Sequence, residues 1–185
     1  MTDAATLTTY GMTVLGEGVA EVTDLSGVRP GQRASLYADP LSWLVFEAVQ
    51  HAIDAHREDI DSAREGVGHI VVSDDCTTYT MRVIAATIVA GRISPLRFSG
   101  ANPGSVCSLP SQFLGFSGPS MTLSMPPDKG LPPAAAIARA WLRQGSATHV
   151  LVTSHRAGPS GHRVTSTLLT GTQEGRSGSG HRPHS

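Results

Sequence analysis

The sequence has little charge, few aromatic residues and no long hydrophobic run. Charged residues make up 16% of it, aromatic residues 5%, and the net charge is −1. So weak a charge creates no strong field to attract nucleic acid or an anionic membrane surface. The longest apolar runs, such as residues 83–90, are far too short to span a bilayer. The first five residues show neither the basic nor the apolar part of a secretory signal.

Cysteine is also scarce. Cys76 and Cys107 form neither a metal-type spacing nor a disulfide framework, which favours a reducing, cytoplasmic compartment. Cys107 is most simply a small buried residue, and the neighbouring carboxylates of Asp74 and Asp75 disfavour a thiolate at Cys76. The eight histidines show no metal-ligand spacing within one helix. We therefore predict no metal and no cofactor.

What the sequence does contain is an alternation of strand and helix patterns. Predicted strands lie at residues 7–24 (one strand or a ragged hairpin), 67–73, 120–124, 147–153 and, more weakly, 164–169. Predicted helices lie at residues 39–53, 77–90, 104–114 (kinked by Pro110) and 132–145, and residues 94–98 are predicted as a loop. The alternation predicts an α/β fold with a mostly parallel sheet and helices on both faces. We expect one domain over residues 1–170 and a disordered tail over residues 171–185.

The stretch Gly118–Gly130 contains the most informative junction. A short strand runs into a tight turn, and a helix follows. In many α/β enzymes such a junction carries a nucleophile, because a helix N-terminus offers partial positive charge and free N–H groups. Here the turn consists of Met125, Pro126 and Pro127, and none of these side chains can attack a substrate.

Residues 91–105, with Gly91-Arg-Ile-Ser-Pro95, and residues 113–124, with Gly118-Pro-Ser-Met-Thr-Leu-Ser124, resemble the β-ketoacyl synthases. These are the condensing enzymes of fatty-acid and polyketide synthesis. Residues 137–152 resemble the helix and strand that follow the nucleophile in that family. The resemblance covers roughly residues 7–156 and implies a thiolase-like fold, specifically its N-terminal half.

The resemblance also implies a loss of condensing activity. The family's nucleophilic cysteine aligns with Pro127, which has no nucleophile and no N–H to donate to an oxyanion. The family's paired histidines belong to its C-terminal half, and nothing around His155 and His162 matches their motifs. The resemblance therefore implies a truncated protein without a Cys-His-His condensing site, and we expect no condensation on this chain alone.

Several residues are candidates for a function in this scaffold. Candidates for binding an acyl group or a partner are Cys107, Phe116, Met125, Pro126 and Pro127. Candidates for acid–base chemistry are Asp128, Ser154 and His155. The macrodipole alone is a sufficient reason for a carboxylate at Asp128, in the first turn of a helix. Ser154-His155-Arg156 is predicted to follow the C-terminal end of a strand, where α/β folds place binding groups.

These features leave three hypotheses open. The first is an accessory protein that pairs with a full ketosynthase, forms a homodimer or binds an acyl carrier protein; the family places residues 120–124 near its dimer interface, and a half-fold would expose apolar surface. The second is an enzyme of changed chemistry that hydrolyses, dehydrates or isomerises acyl thioesters. The third is a product without activity. The loss of the nucleophile favours the first.

Overall fold

The computed structural model of the protein describes residues 3–29, 37–89, 91 and 95–172. Its strands are β1 (Met12–Val22), β2 (Val67–Val72), β3 (Ser120–Leu123), β4 (His149–Gly158) and β5 (Gly161–Gly171). Its α-helices are α1 (Asp3–Thr8), α2 (Pro40–Ile53), α3 (Arg57–Ser62), α4 (Thr78–Val89), α5 (Pro95–Ser99), α6 (Ser108–Leu114) and α7 (Pro127–Gln144). No helix within these ranges is both long and apolar enough to cross a membrane.

The five strands form one mixed sheet in the order β1-β5-β4-β2-β3. Strand β2 is parallel to both β3 and β4, whereas β5 is antiparallel to β1 and β4. All strands except β5 therefore run in one direction, which confirms the predicted mostly parallel sheet. Strand β3 occupies one edge.

Helices pack on both faces of this sheet, as predicted. On the first face, α2 contributes more residues than any other element to a core that also includes Ile60, Val106 and Phe116. On the second face, α1 and α7 pack a separate core. The side chains of β2 divide between the two, because successive residues of a strand point to opposite faces: Val71 joins the first core, and Ile70 and Val72 join the second.

Helix α2 forms where its N-terminal signal and apolar face predict it. Asp39 accepts a hydrogen bond from the Leu41 N–H (2.9 Å), and Pro40 is the first helical residue. The second carboxylate oxygen of Asp39 accepts from the Thr80 N–H (3.0 Å), so this buried side chain also fixes α4 to α2. The predicted inner face is fully buried: Leu41, Leu44, Val45, Ala48, Val49, Ala52 and Ile53.

The predicted start of α7 is wrong by five residues. The helix begins at Pro127 rather than at the pair Pro132-Pro133, which lies inside it. A proline suits the first helical position, where its missing N–H would have no partner. The internal pair leaves the carbonyls of Asp128 and Lys129 without helical donors, but both residues are exposed and solvent can reach them. The predicted end is confirmed, since Gly145 closes the helix at a φ of 72°.

Other boundaries also differ from those predicted. Residues 7–24 hold a single strand, β1, which pairs with β5 and not within a local hairpin. Pro110 lies in the first turn of α6, where it is tolerated, and a 3-10 turn precedes it. Pro95–Ser99 is a short helix, not a loop. The predicted tail begins at Gly171, which is the last residue of β5, and residues 173–185 lie outside the described residues.

Candidate functional site

Strand β4 separates the predicted acid–base candidates between the two faces of the sheet. Ser154 and Arg156 contact Asp3 and Asp128 on the side of α1 and α7. His155 points to the opposite side. Residues 154–156 also lie within β4 rather than beyond its end, because β4 continues into a hairpin with β5. The structure therefore places Asp128 and Ser154 in one group and His155 in another.

The first group is a network of ion pairs and hydrogen bonds. The Arg156 guanidinium donates to Asp128 (2.8 Å) and to Asp3 (3.2 Å), and the Ser154 hydroxyl donates to Asp3. The Asp128 side chain is 84% exposed, so this ion pair contributes little to stability. The network connects α1, the start of α7 and β4, and it engages the predicted candidates Asp128 and Ser154 in structural contacts.

The junction between β3 and α7 carries no nucleophile in its turn. Met125 is half-buried, Pro126 is exposed and Pro127 is buried. The N–H groups of Lys129 and Gly130 both donate to the Pro126 carbonyl at 2.9 Å, and no side chain caps the helix. Met125, Pro126 and Pro127, at the start of α7, thus offer no nucleophilic side chain; the hydroxyl of Ser124 lies just before them.

Cys76 lies close to this junction in the turn after β2. Its Sγ contacts Ser124 Oγ at 3.4 Å and donates to the Ser73 carbonyl (3.1 Å). Its φ of 42° is in the left-handed region that non-glycine residues seldom adopt. Burial raises the pKa of the Cys76 thiol, and the charges of Asp74 and Asp75 raise it further. The thiol is therefore poorly suited to act as a nucleophile.

The second group is a chain of polar side chains at the carboxyl end of β2. Ser73 Oγ lies 2.9 Å from His155 Nδ1, and His155 Nε2 lies 2.9 Å from His162 Nδ1. The two imidazole rings are nearly parallel, at 9°. Burial, assisted by the nearby His162, lowers the pKa of His155 to about 4. His155 is therefore neutral at pH 7. Side-chain atoms of Asp75, His155 and His162 lie within 4.8 Å of one another, and we call these three residues the histidine cluster.

The strand register brings the histidine cluster together. Val72 of β2 pairs with Ser154, so His155 lies just beyond the end of β2, beside Ser73. Ala157 pairs with His162 across the β4–β5 hairpin, which puts the two histidines on one face at diagonal positions. Ser73, Asp75 and His162 were not predicted as site residues. Gly158-Pro-Ser-Gly161, with its turn-forming residues, was the signal that could have predicted this hairpin.

A cavity of about 440 Å³ adjoins the histidine cluster. It opens at the carboxyl end of the parallel strand β2, where α/β sheets commonly bind ligands. Its polar lining includes Asp24, Asp75, Tyr79, Arg82 and His162.

The remaining predicted binding residues lie elsewhere. Cys107 and Phe116 are 6% and 4% exposed and belong to the core on the α2 face. Cys107 Sγ donates to the Gly104 carbonyl (3.1 Å) and accepts from the Thr122 hydroxyl (3.7 Å). Met125 packs against the core on the α7 face. Of the predicted set, Pro126 is thus the one exposed residue.

No family model matches the sequence, and no curated protein matches it. Solved structures do match. The ishigamide ketosynthase/chain length factor covers 90% of this chain at 15% identity and a TM-score of 0.70, and 63% of the matched chain is covered. The complex AntDE:AntF, a type II polyketide synthase acyl-carrier protein with its ketosynthase bound to the hexaketide, covers 88% at 17% identity and a TM-score of 0.66, with 63% of the matched chain covered.

A third similar structure is the ketosynthase ApeO in complex with its chain length factor ApeC from Xenorhabdus doucetiae. It covers 87% of this chain at 11% identity and a TM-score of 0.61, with 79% of the matched chain covered. The chain spans less than two thirds of the first two matched chains. At these identities the comparisons establish the fold: this chain has the thiolase-like α/β fold of the ketosynthases, as its sequence predicted.

Proposed function

We propose that this protein is a ketosynthase-like accessory subunit that does not catalyse condensation and that pairs with a ketosynthase in polyketide or fatty-acid-type biosynthesis. The observation that carries the proposal is the ketosynthase-like fold with Met125-Pro-Pro127 at the start of α7. Similar structures pair a ketosynthase with a chain length factor or an acyl-carrier protein. A scaffold of this kind without a nucleophile suits a partner subunit better than a catalyst.

The chemistry at the start of α7 supports a role without condensation. Pro127 is the first residue of the helix and is buried. A cysteine there would gain a lowered pKa from the helix N-terminus, whereas a proline has neither a thiol nor an N–H. Cys76, which lies nearby, has its pKa raised instead.

The edge strand β3 is our proposed pairing surface. Within the described residues it pairs only with β2, and Ser120 and Met121 are exposed. The β2 ladder uses the carbonyls of Pro119 and Leu123, so the N–H and carbonyl of Thr122 point away from β2. An edge strand with free backbone groups readily adds a strand from another chain.

The pairing is tested by co-expression with a ketosynthase, followed by size-exclusion chromatography with light scattering. We expect a stable heterodimer. The variant Thr122→Pro removes the outward N–H without removing a β2 hydrogen bond, and it should weaken pairing at least tenfold, roughly the value of one or two hydrogen bonds. Thr122→Val keeps the N–H and should pair normally, and circular dichroism checks that both variants fold.

Two results would contradict the pairing proposal. One is a protein that stays monomeric, or forms only homodimers, beside every ketosynthase from its own biosynthetic context. The other is equal pairing by Thr122→Pro and Thr122→Val, which would place the interface elsewhere.

The lack of condensation has its own test. Incubating the protein with acyl- and malonyl-loaded carrier protein should give neither a covalent acyl adduct by intact mass spectrometry nor a lengthened acyl chain. An adduct that maps to residues 124–130 would show that the junction is reactive after all.

A second function, acyl-thioester hydrolysis, dehydration or isomerisation, is favoured by one observation. The neutral imidazole of His155 bonds to a serine hydroxyl and to His162, which lines a cavity. Turnover of acyl thioesters that survives Cys76→Ala and Cys107→Ala but is lost in His155→Ala would establish this enzyme and reject the non-catalytic subunit.

A further inference from the structure

The structure assigns a binding site for a divalent transition-metal ion to Asp75, His155 and His162, with its open coordination positions facing the adjoining cavity. The site goes beyond the proposed accessory function and does not depend on it. Its ligands come from the turn after β2, from β4 and from β5. Their wide separation in the sequence explains why ligand spacing did not reveal them.

The positions of the ligand atoms suit such an ion. One atom from each of the three residues lies within 4.8 Å of the other two, and the two imidazole nitrogens are 2.9 Å apart. A metal bonded to both nitrogens at about 2.0–2.1 Å in tetrahedral geometry holds them about 3.3–3.4 Å apart. The ring centroids are 5.2 Å apart, so the two nitrogens now face each other in a hydrogen bond. Metal binding replaces this bond: the half-buried His162 turns so that both nitrogens point at the ion, and Asp75, in a turn, closes the set by a movement of about 1–2 Å.

The hydrogen bond at Nδ1 of His155 orients its ring as in a metal ligand. A metal-bound histidine usually donates its second ring N–H to a neighbouring group, which sets the tautomer. With His155 Nε2 on the metal, Nδ1–H donates to Ser73 Oγ at the observed 2.9 Å. Ser73 is itself positioned, because its Oγ accepts from the Cys76 N–H at 2.9 Å. Ser73 is therefore a positioning residue for this site.

The donor set indicates the kind of ion and leaves room for another ligand. Two imidazoles with one carboxylate suit zinc and other first-row divalent ions. Three protein ligands leave at least one position open, and a site of this kind binds water or a small molecule there. Asp75 and His162 both line the cavity of about 440 Å³. Apart from the ligands, the lining carries one carboxylate, Asp24, and one cation, Arg82, so selection of the ion rests on the donor atoms.

The alternative is a hydrogen bond between two neutral imidazoles with no ion. Metal titration separates the two. The full chain, freed of tag and metal by chelation, is titrated with Zn²⁺ against a chromophoric chelator. We expect one Zn²⁺ per chain, and a rise in melting temperature with added Zn²⁺, because an ion that binds only the folded state stabilises it.

Variants locate the ion. His162→Gln and Asp75→Asn change half-buried residues. Each should weaken Zn²⁺ binding at least tenfold, because loss of even a residue that only orients a ligand weakens metal binding by about 10–100-fold. His149→Gln is the matched control, since His149 also lies half-buried on β4 but outside the histidine cluster. Substituting His181 and His184 together controls for the C-terminal histidines. Both controls should bind Zn²⁺ like the unmodified chain.

Cobalt reports the donor atoms. Co²⁺ in the site should show ligand-field bands without thiolate charge transfer, because Cys76 is not in the donor set. The proposal is overturned if Zn²⁺ does not bind, if the two ligand variants bind as tightly as the His149→Gln control, or if the Co²⁺ spectrum shows a thiolate ligand. None of these outcomes bears on ketosynthase pairing, which Thr122→Pro tests separately.

Discussion

At the scale of single residues, His69 shows what burial does to a titratable group in this fold. It is buried on strand β2, between β4 and β3, and its Nε2 contacts the Thr153 hydroxyl at 3.0 Å. Burial lowers the pKa of His69 to about 4.

This burial predicts a pH dependence of folding. The unfolded chain protonates His69 below about pH 6.5, whereas the folded chain resists protonation down to about pH 4. The contribution of neutral His69 to the free energy of unfolding is therefore fully present above pH 6.5, and it is lost as the pH falls towards 4. At pH 5 the loss from this residue is about 2 kcal/mol.

The variant His69→Gln keeps a polar group towards Thr153 but cannot titrate. Urea unfolding between pH 7 and pH 5 should show a smaller loss of stability than in the unmodified protein. His51→Gln, at an exposed histidine, is the control for the exchange of a histidine for glutamine. An identical pH dependence in His69→Gln would mean that His69 is not the neutral buried group described above.

At the scale of elements, the sequence predicts best what depends on local pattern. Helix α2 has an N-cap, an initial proline and a continuous apolar face, and the sequence alone shows all three. The sequence does not show the end of β4, because residues 154–158 belong to a strand only through their pairing with β5. The histidine cluster depends on that pairing and on the β2–β4 register, which lie outside any local pattern. The sequence could therefore predict the junction at Pro127 but not this site.

The contact between β1 and α2 gives an element-scale prediction. A Cβ atom on Gly18 would lie 2.1 Å from the Ala48 carbonyl oxygen and 2.3 Å from the Ala52 nitrogen. These atoms belong to the backbone of α2, which cannot move aside as a flexible side chain can. Gly18→Ala should therefore force β1 and α2 apart and destabilise the protein by about 1–3 kcal/mol or more.

Gly158→Ala is the matched control, because Gly158 also lies on a strand but has no atom within 4 Å of an added Cβ. Thermal unfolding should show a clearly lower melting temperature for Gly18→Ala and little change for Gly158→Ala. Equal melting temperatures would indicate that α2 can move away from β1 at no cost.

At the scale of the whole molecule, one sheet joins two cores that share no other element among the residues the structure describes. The core on the α2 face and the core on the α7 face take alternate side chains from β2, as with Val71 and Val72. Loss of either core exposes one face of the same strands. We therefore expect the two faces to unfold together.

The two tryptophans of the chain allow this to be tested, because each reports one face. Trp43 of α2 stacks on Phe113 on the first face, and Trp141 of α7 packs with the second core. Trp43→Phe leaves Trp141 as the only fluorescent tryptophan, and Trp141→Phe leaves Trp43. In each variant the urea midpoint by fluorescence should coincide with that by far-UV circular dichroism, as two-state unfolding requires. Each variant is compared with itself, so a change in its overall stability does not affect the test. If Trp141 fluorescence changed at lower urea than the circular dichroism signal, α7 would leave the sheet first, and the two cores would be separate folding units.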